Sequence, residues 1–86
     1  MKLTAEISMY PFNENYLEPI QWFIERLRNY PNITRTTNAM ATQVCGDYQE
    51  VMSMLATEME AAHSKWGKAV FVCKFIGSEL DLTHKE

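Results

Sequence analysis

Glu6, Ser8 and Tyr10 stand two residues apart near the start of the chain, and Lys74 interrupts an otherwise apolar run near its end. A carboxylate, a hydroxyl, a phenol and an ammonium are groups that hold a polar ligand: the first accepts, the last donates, and the other two do both. Catalytic chemistry is harder to assemble. His63 and His84 are the only histidines. Ser64 adjoins His63, but neighbouring helix residues do not face each other, so no nucleophile–base dyad follows. Three glycines leave no glycine-rich loop to cradle a phosphate. Cys45 and Cys73 have no further Cys or His at ligand spacing and read as two reduced thiols. Met52, Met54 and Met59 read as core filler, and Trp22 and Trp66 as half-buried helix residues. Glu58 and Glu60 read as a solvated face. No catalytic residue, metal or cofactor is expected.

The elements that must position these groups follow from polarity and punctuation. From residue 2 to 10 the chain alternates: Leu3, Ala5, Ile7 and Met9 fall on one face, and Thr4, Glu6, Ser8 and Tyr10 on the other. This is a strand with one face committed to a core, and Pro11 ends it. The first helix is expected to start at Pro19, where a missing N–H is harmless. A start at Asn15, with Glu18 in the capping-box position, is the alternative. Ile20, Phe23, Ile24 and Leu27 form the buried stripe of this helix, with Glu25, Arg26 and Arg28 toward water. Ile33 to Thr37 and Met40 to Cys45 read as a hairpin turning near Asn38-Ala39. Asp47 then caps a second helix with Glu50 in the capping box; Val51, Leu55, Met59 and Ala62, helped by Met54, are its buried stripe, and Gly67 its stop. Ala69 to Ile76 is the most hydrophobic run and reads as a covered strand. Beyond it Glu79 to Leu82 alternates weakly, and the chain is expected to fray from Thr83.

Strand, helix, hairpin, helix, strand predicts an α+β, ferredoxin-like βαββαβ sandwich: one four-stranded antiparallel sheet with two helices on one face. The other face is then bare. Lys74 does not belong under the helices, because an unpaired buried ammonium is costly. Its parity sends Val70, Val72, Lys74 and Ile76 to the open face, beside Thr4, Glu6, Ser8 and Tyr10, and sends Phe71, Cys73 and Phe75 to the core. Three aliphatic side chains and a tyrosine form a patch that something should cover, most simply a second subunit, giving a homodimer or homotetramer. Glu6 and Lys74 then pair with each other or across the interface, or, with Ser8, address a polar ligand held there.

Composition narrows the partners. The 86 residues make room for one domain, 1–86, and 47% hydrophobic content supports a packed core. A net charge of −3 with scattered cations argues against nucleic acid and against an anionic membrane surface. No segment reaches the ~20 apolar residues of a membrane span, and the first residues lack a signal peptide's apolar stretch. The chain reads as cytoplasmic.

Ala5-Glu6-Ile7-Ser8-Met9-Tyr10-Pro11 resembles the first strand of the YkoF-related family of small thiamine-binding proteins. Met40-Ala41-Thr42-Gln43-Val44-Cys45-Gly46-Asp47, followed by Glu50-Val51, resembles that family's third strand and entry to the second helix, and Lys74 sits where a last-strand lysine is common. Cys45 stands where an acidic residue is common. The resemblance spans almost the whole chain, element order included. It implies the ferredoxin-like fold, sheet-to-sheet oligomers, and binding of thiamine or its hydroxymethylpyrimidine moiety in salvage or transport rather than a reaction. Some relatives carry two such units in one chain; with one unit here, a homo-oligomer would supply the second. Under that resemblance Glu6 accepts from the exocyclic amine, Tyr10 offers a stacking surface, Ser8, Asn38 and Thr42 fix orientation, Met40 forms an adaptable wall, and Lys74 donates to a ring nitrogen.

Two other readings compete with a small-molecule binder. One is a structural or regulatory module that uses its open sheet face only for assembly. The other is a small ferredoxin-like isomerase or monooxygenase working through His63 and Trp66, which nothing in the sequence orients.

Overall fold

The computed structural model describes residues 1–83, so His84 and the tail expected to fray beyond Thr83 lie outside the described residues. The elements run β1 (Lys2–Pro11), α1 (Leu17–Leu27), β2 (Thr34–Thr37), β3 (Thr42–Asp47), α2 (Tyr48–Trp66) and β4 (Ala69–Ile76). The sheet order is β2-β3-β1-β4, with every neighbouring pair antiparallel. This is the ferredoxin-like βαββαβ arrangement. Its core forms where one face of the sheet meets both helices: Leu3, Ala5, Ile7 and Met9 of β1 and Val44 of β3 pack with Phe23 and Leu27 of α1 and Val51, Met54, Leu55 and Ala62 of α2. Burying each of the larger of these side chains contributes roughly 1.5–3 kcal/mol.

Several boundaries differ from the sequence expectation, each for a local reason. α1 begins at Leu17, two residues before Pro19. Pro19 still lies in the first turn, where its missing N–H has no helical partner to lose, and its ring is buried. Asn15 supports this start: its Oδ1 accepts from the Glu18 N–H at 3.4 Å, and its Nδ2 donates to Glu18 Oε2 at 3.1 Å. β3 begins at Thr42 rather than Met40, because Asn38 captures the turn. Its Oδ1 accepts from the N–H groups of Met40 and Ala41 at 2.9 and 3.1 Å, an Asx geometry that holds Ala39-Met40 as the turn. β2 begins at Thr34, one residue after the buried Ile33. α2 follows its sequence signals: Asp47 caps it by accepting from the Glu50 N–H at 3.3 Å, and Gly67 closes it at φ +83°, a conformation that only glycine adopts freely.

One solvent assignment is overturned and a second holds only in part. Glu58 is 3% exposed, not a solvated carboxylate. It continues the α2 stripe through residues 51, 54, 55, 58 and 62 toward α1, where Arg26 Nε donates to it at 2.7 Å and the Tyr30 hydroxyl at 2.5 Å. Arg26 correspondingly lies over the Trp22 ring, 5.1 Å from its centroid, and keeps only part of its side chain in water. The hydrogen bond to Glu58, followed by burial, holds the Tyr30 phenol above its usual range.

Nor is the open sheet face bare along its whole length. By register, Thr4 and Cys45 face away from the helices, yet they are 6% and 4% exposed. The segment after β4 crosses over them. Thr4 Oγ1 donates to the Ser78 carbonyl at 2.8 Å and accepts from the Leu80 N–H at 3.1 Å, and residues 79–83 continue beside Thr34 and Thr36 of β2. Residues 77–83 therefore strap one end of the open face.

Candidate functional site

At its other end the sheet is incomplete. β1 has ten residues and β3 six, and their ladder stops at Ile7↔Thr42. β1 runs on to Pro11 against β4 alone, while the hairpin turns away at Ala39-Met40. The space between them is a cleft of about 460 Å³, within the ~300–1,000 Å³ of small-molecule pockets. α1 closes its base with Ile20, Phe23 and Ile24, the hairpin forms one wall, and Tyr10 and Tyr16 stand at its mouth, 55% and 56% exposed. Thr42 is buried on the helix side, its Oγ1 3.0 Å from Thr37 Oγ1. Two exposed tyrosines over an apolar base suit a flat ring with one wet edge.

The seven residues singled out by sequence divide between two places. Ser8, Tyr10, Asn38, Met40 and Thr42 all line this cleft. Glu6 and Lys74 do not. They lie in a row across the open face, Gln43↔Glu6↔Lys74. Gln43 Nε2 donates to Glu6 Oε2 at 2.9 Å and Lys74 Nζ lies 3.6 Å from Glu6 Oε1. The two charges thus pair within the chain. Because Lys74 is mostly exposed, that ion pair is worth little to stability. Val70, Val72 and Ile76 join Lys74 on this face, as parity required.

No family model matches the sequence, and no curated protein matches it. Solved structures match in fold. A Streptococcus pneumoniae protein superposes with a TM-score of 0.84 at 20% identity, over 93% of this chain and 90% of that one. A Thermotoga maritima protein assigned provisionally to thiamine biosynthesis or salvage gives 0.79 at 19% identity, over 87% and 82%. A hypothetical protein of Methanocaldococcus jannascii gives 0.78 at 21% identity, over 96% and 87%. The likeness is one of fold.

Other candidates for chemistry fall away from the cleft. His63 stands edge-to-face with Phe71, 5.3 Å between ring centroids, and Trp66 meets Trp22 at 6.4 Å; neither lines the cleft. Burial pushes the Cys73 thiol up, away from the thiolate form that reacts. Among the described residues, no three His, Cys, Asp or Glu side chains gather to hold a metal, and no helix is long and apolar enough to cross a membrane. Sequence reasoning missed Tyr16 and the α1 base of the cleft. The available signal was the mismatch in length between the first and third strands, which leaves one of them projecting.

Proposed function

We propose that the chain is a non-catalytic, cytoplasmic binder of thiamine or its hydroxymethylpyrimidine moiety, acting in salvage or transport, with the ring seated in the cleft between β1, α1 and the hairpin. The observation that carries this reading is the convergence of Ser8 and Tyr10 of β1 with Asn38, Met40 and Thr42 of the hairpin, two segments distant in sequence, around one cleft of ligand size. The resemblance of the first and third strands to the thiamine-binding family supports it, as does the role assigned to the Thermotoga maritima protein of the same fold. Tyr10 and Tyr16 stack on the ring, and the short polar side chains fix its orientation. Calorimetric titration with thiamine and with hydroxymethylpyrimidine tests the reading. Saturable heat is expected, with a stability gain of about 2.7 kcal/mol at a ligand concentration a hundredfold above Kd. The absence of both heat and thermal shift would overturn it.

Glu6 and Lys74 enter this proposal at the rim, two residues along the sheet face from Ser8. Glu6→Gln tests their part: weaker thiamine binding places the carboxylate in the site, and unchanged binding assigns the pair to the open face alone. A second reading rests on that face. Val70, Val72 and Ile76 are 44%, 49% and 50% exposed on it, running along β4 from Val70 beside Tyr10 to Ile76 beside Thr4. A second copy laid sheet to sheet would cover them, as a homodimer or homotetramer. Binding and assembly are compatible. Assembly without any ligand-dependent stabilisation is the outcome that favours a structural or regulatory module.

A further inference from the structure

The side chains around the cleft are accompanied by a main-chain feature fixed by the ladder. In an antiparallel sheet, alternate residues of a strand direct both N–H and C=O to the same neighbour. Three backbone hydrogen bonds reveal the alternation here. Tyr48 N donates to the Met1 carbonyl at 2.9 Å, continuing the β1–β3 register, so odd-numbered residues of β1 face β3. Phe12 N donates to the Lys68 carbonyl at 3.3 Å, continuing the β1–β4 register, so even-numbered residues face β4. Asn38 N donates to the Ala41 carbonyl at 3.0 Å, which turns the odd-numbered residues of β3 to β2 and leaves the even ones for β1. All three agree.

Met9 is therefore an odd residue of β1 whose N–H and C=O both point to where β3 would continue. The residue in register with it is Met40, which sits in the hairpin turn. Met40 is 86% exposed and its N–H is taken by Asn38 Oδ1 at 2.9 Å. Among the described residues no backbone or side-chain group bonds to either main-chain group of Met9, although Met9 itself is only 8% exposed. Main-chain groups of a strand that lack a ladder partner take one from water or from a ligand, and Met9 lines the cleft. Pro11, the next odd residue, has no N–H, so Met9 is the one position along this edge that offers donor and acceptor side by side.

We propose that the N–H and C=O of Met9 are the recognition edge of the cleft, and that they select planar ligands carrying an acceptor nitrogen beside an N–H donor, the edge of an aminopyrimidine. The ligand takes the place of the missing strand residue. Its ring nitrogen accepts from the Met9 N–H, its exocyclic amine donates to the Met9 carbonyl, and Tyr10 and Tyr16 cover its faces. This inference rests on the small-molecule reading above and specifies which end of the ligand enters first.

The test is an amide-resolved NMR titration of the full chain with hydroxymethylpyrimidine, thiamine and plain aminopyrimidine. It is paired with calorimetry on a hydroxymethylpyrimidine analogue that has a methyl group in place of the exocyclic amine. The Met9 amide proton is expected to move downfield and saturate at the calorimetric Kd. The methyl analogue, of the same shape but without the donor, is expected to bind roughly ten- to a hundredfold more weakly, because it leaves the Met9 carbonyl unpaired. Binding of hydroxymethylpyrimidine with the Met9 amide unmoved, or equal affinity for the analogue, would overturn the recognition edge and leave the thiamine reading standing. A saturable Met9 shift with aminopyrimidine but with neither thiamine nor hydroxymethylpyrimidine would keep the edge and overturn that reading. No shift with any of the three would overturn both.

Discussion

Glu58 shows how much one residue's role depends on what approaches it. A carboxylate on the buried stripe of α2 is tolerable because Arg26 and the Tyr30 hydroxyl both reach it, and removing it strands two donors. We expect Glu58→Ala to lower stability by about 2 kcal/mol in urea unfolding. That is less than the ~3–5 kcal/mol of a fully buried pair, since Arg26 keeps partial access to water. Tyr30 adds a pH dependence of definite sign. Its phenol titrates near 10.0 when unfolded and higher when folded. The stability it contributes as a neutral donor is complete below the unfolded value and is lost as pH rises through the folded one. Tyr30→Phe should therefore cost about 1 kcal/mol near neutrality and flatten the alkaline fall in midpoint, which chemical unfolding at a series of pH values would show.

At the scale of elements, the strap and the helix stops can be tested separately. Residues 78–83 cover Thr4 and Cys45 through two hydrogen bonds to one hydroxyl. A chain ending at Gly77 should expose Cys45 and raise its rate of reaction with a thiol reagent by tenfold or more, leaving the helical circular dichroism unchanged. An unaltered rate would mean that the core, and not the strap, buries this thiol. Gly67→Ala places a side chain at φ +83° with nothing within 4 Å of its Cβ. The penalty is conformational alone, about 1–3 kcal/mol because ψ −150° puts this residue in a region open essentially to glycine alone, and each kcal/mol is worth roughly 4–8 °C in Tm for a domain of this size.

For the whole molecule the open face is the main variable. Its exposed apolar residues lie on β4, an edge strand, and the single cation among them is already paired with Glu6. If a second copy covers this face, Val72→Glu places a charge in the middle of the contact and should shift light scattering to the monomer mass without unfolding the chain. Because Val72 lies outside the cleft lining, the same variant should separate assembly from ligand affinity.

The sequence by itself determined the order of elements, the facing of β1 and of Lys74 on β4, and most of the core, although Phe75, which parity sends to the core, is 47% exposed at the end of the edge strand. Those follow from period-2 and period-3.6 patterning, which is local: Leu3, Ala5, Ile7 and Met9 announce their face without reference to anything distant, and Asp47 and Gly67 mark their helix ends by their own chemistry. Strand parity likewise carried Lys74 to the side of Glu6. Tertiary structure alone decided what met across the fold. Glu58 reads as solvated until Arg26 and Tyr30 arrive from elements about 30 residues away. The segment after Gly77 reads as no more than a weak alternation until Thr4, more than 70 positions earlier in the chain, bonds to Ser78 and Leu80. The candidate site was legible as a set of residues but not as a place. Ser8, Tyr10, Asn38, Met40 and Thr42 come together because β1 outruns β3 and Asn38 bends the hairpin aside, and the register of two strands separated by a helix is fixed only when they pair.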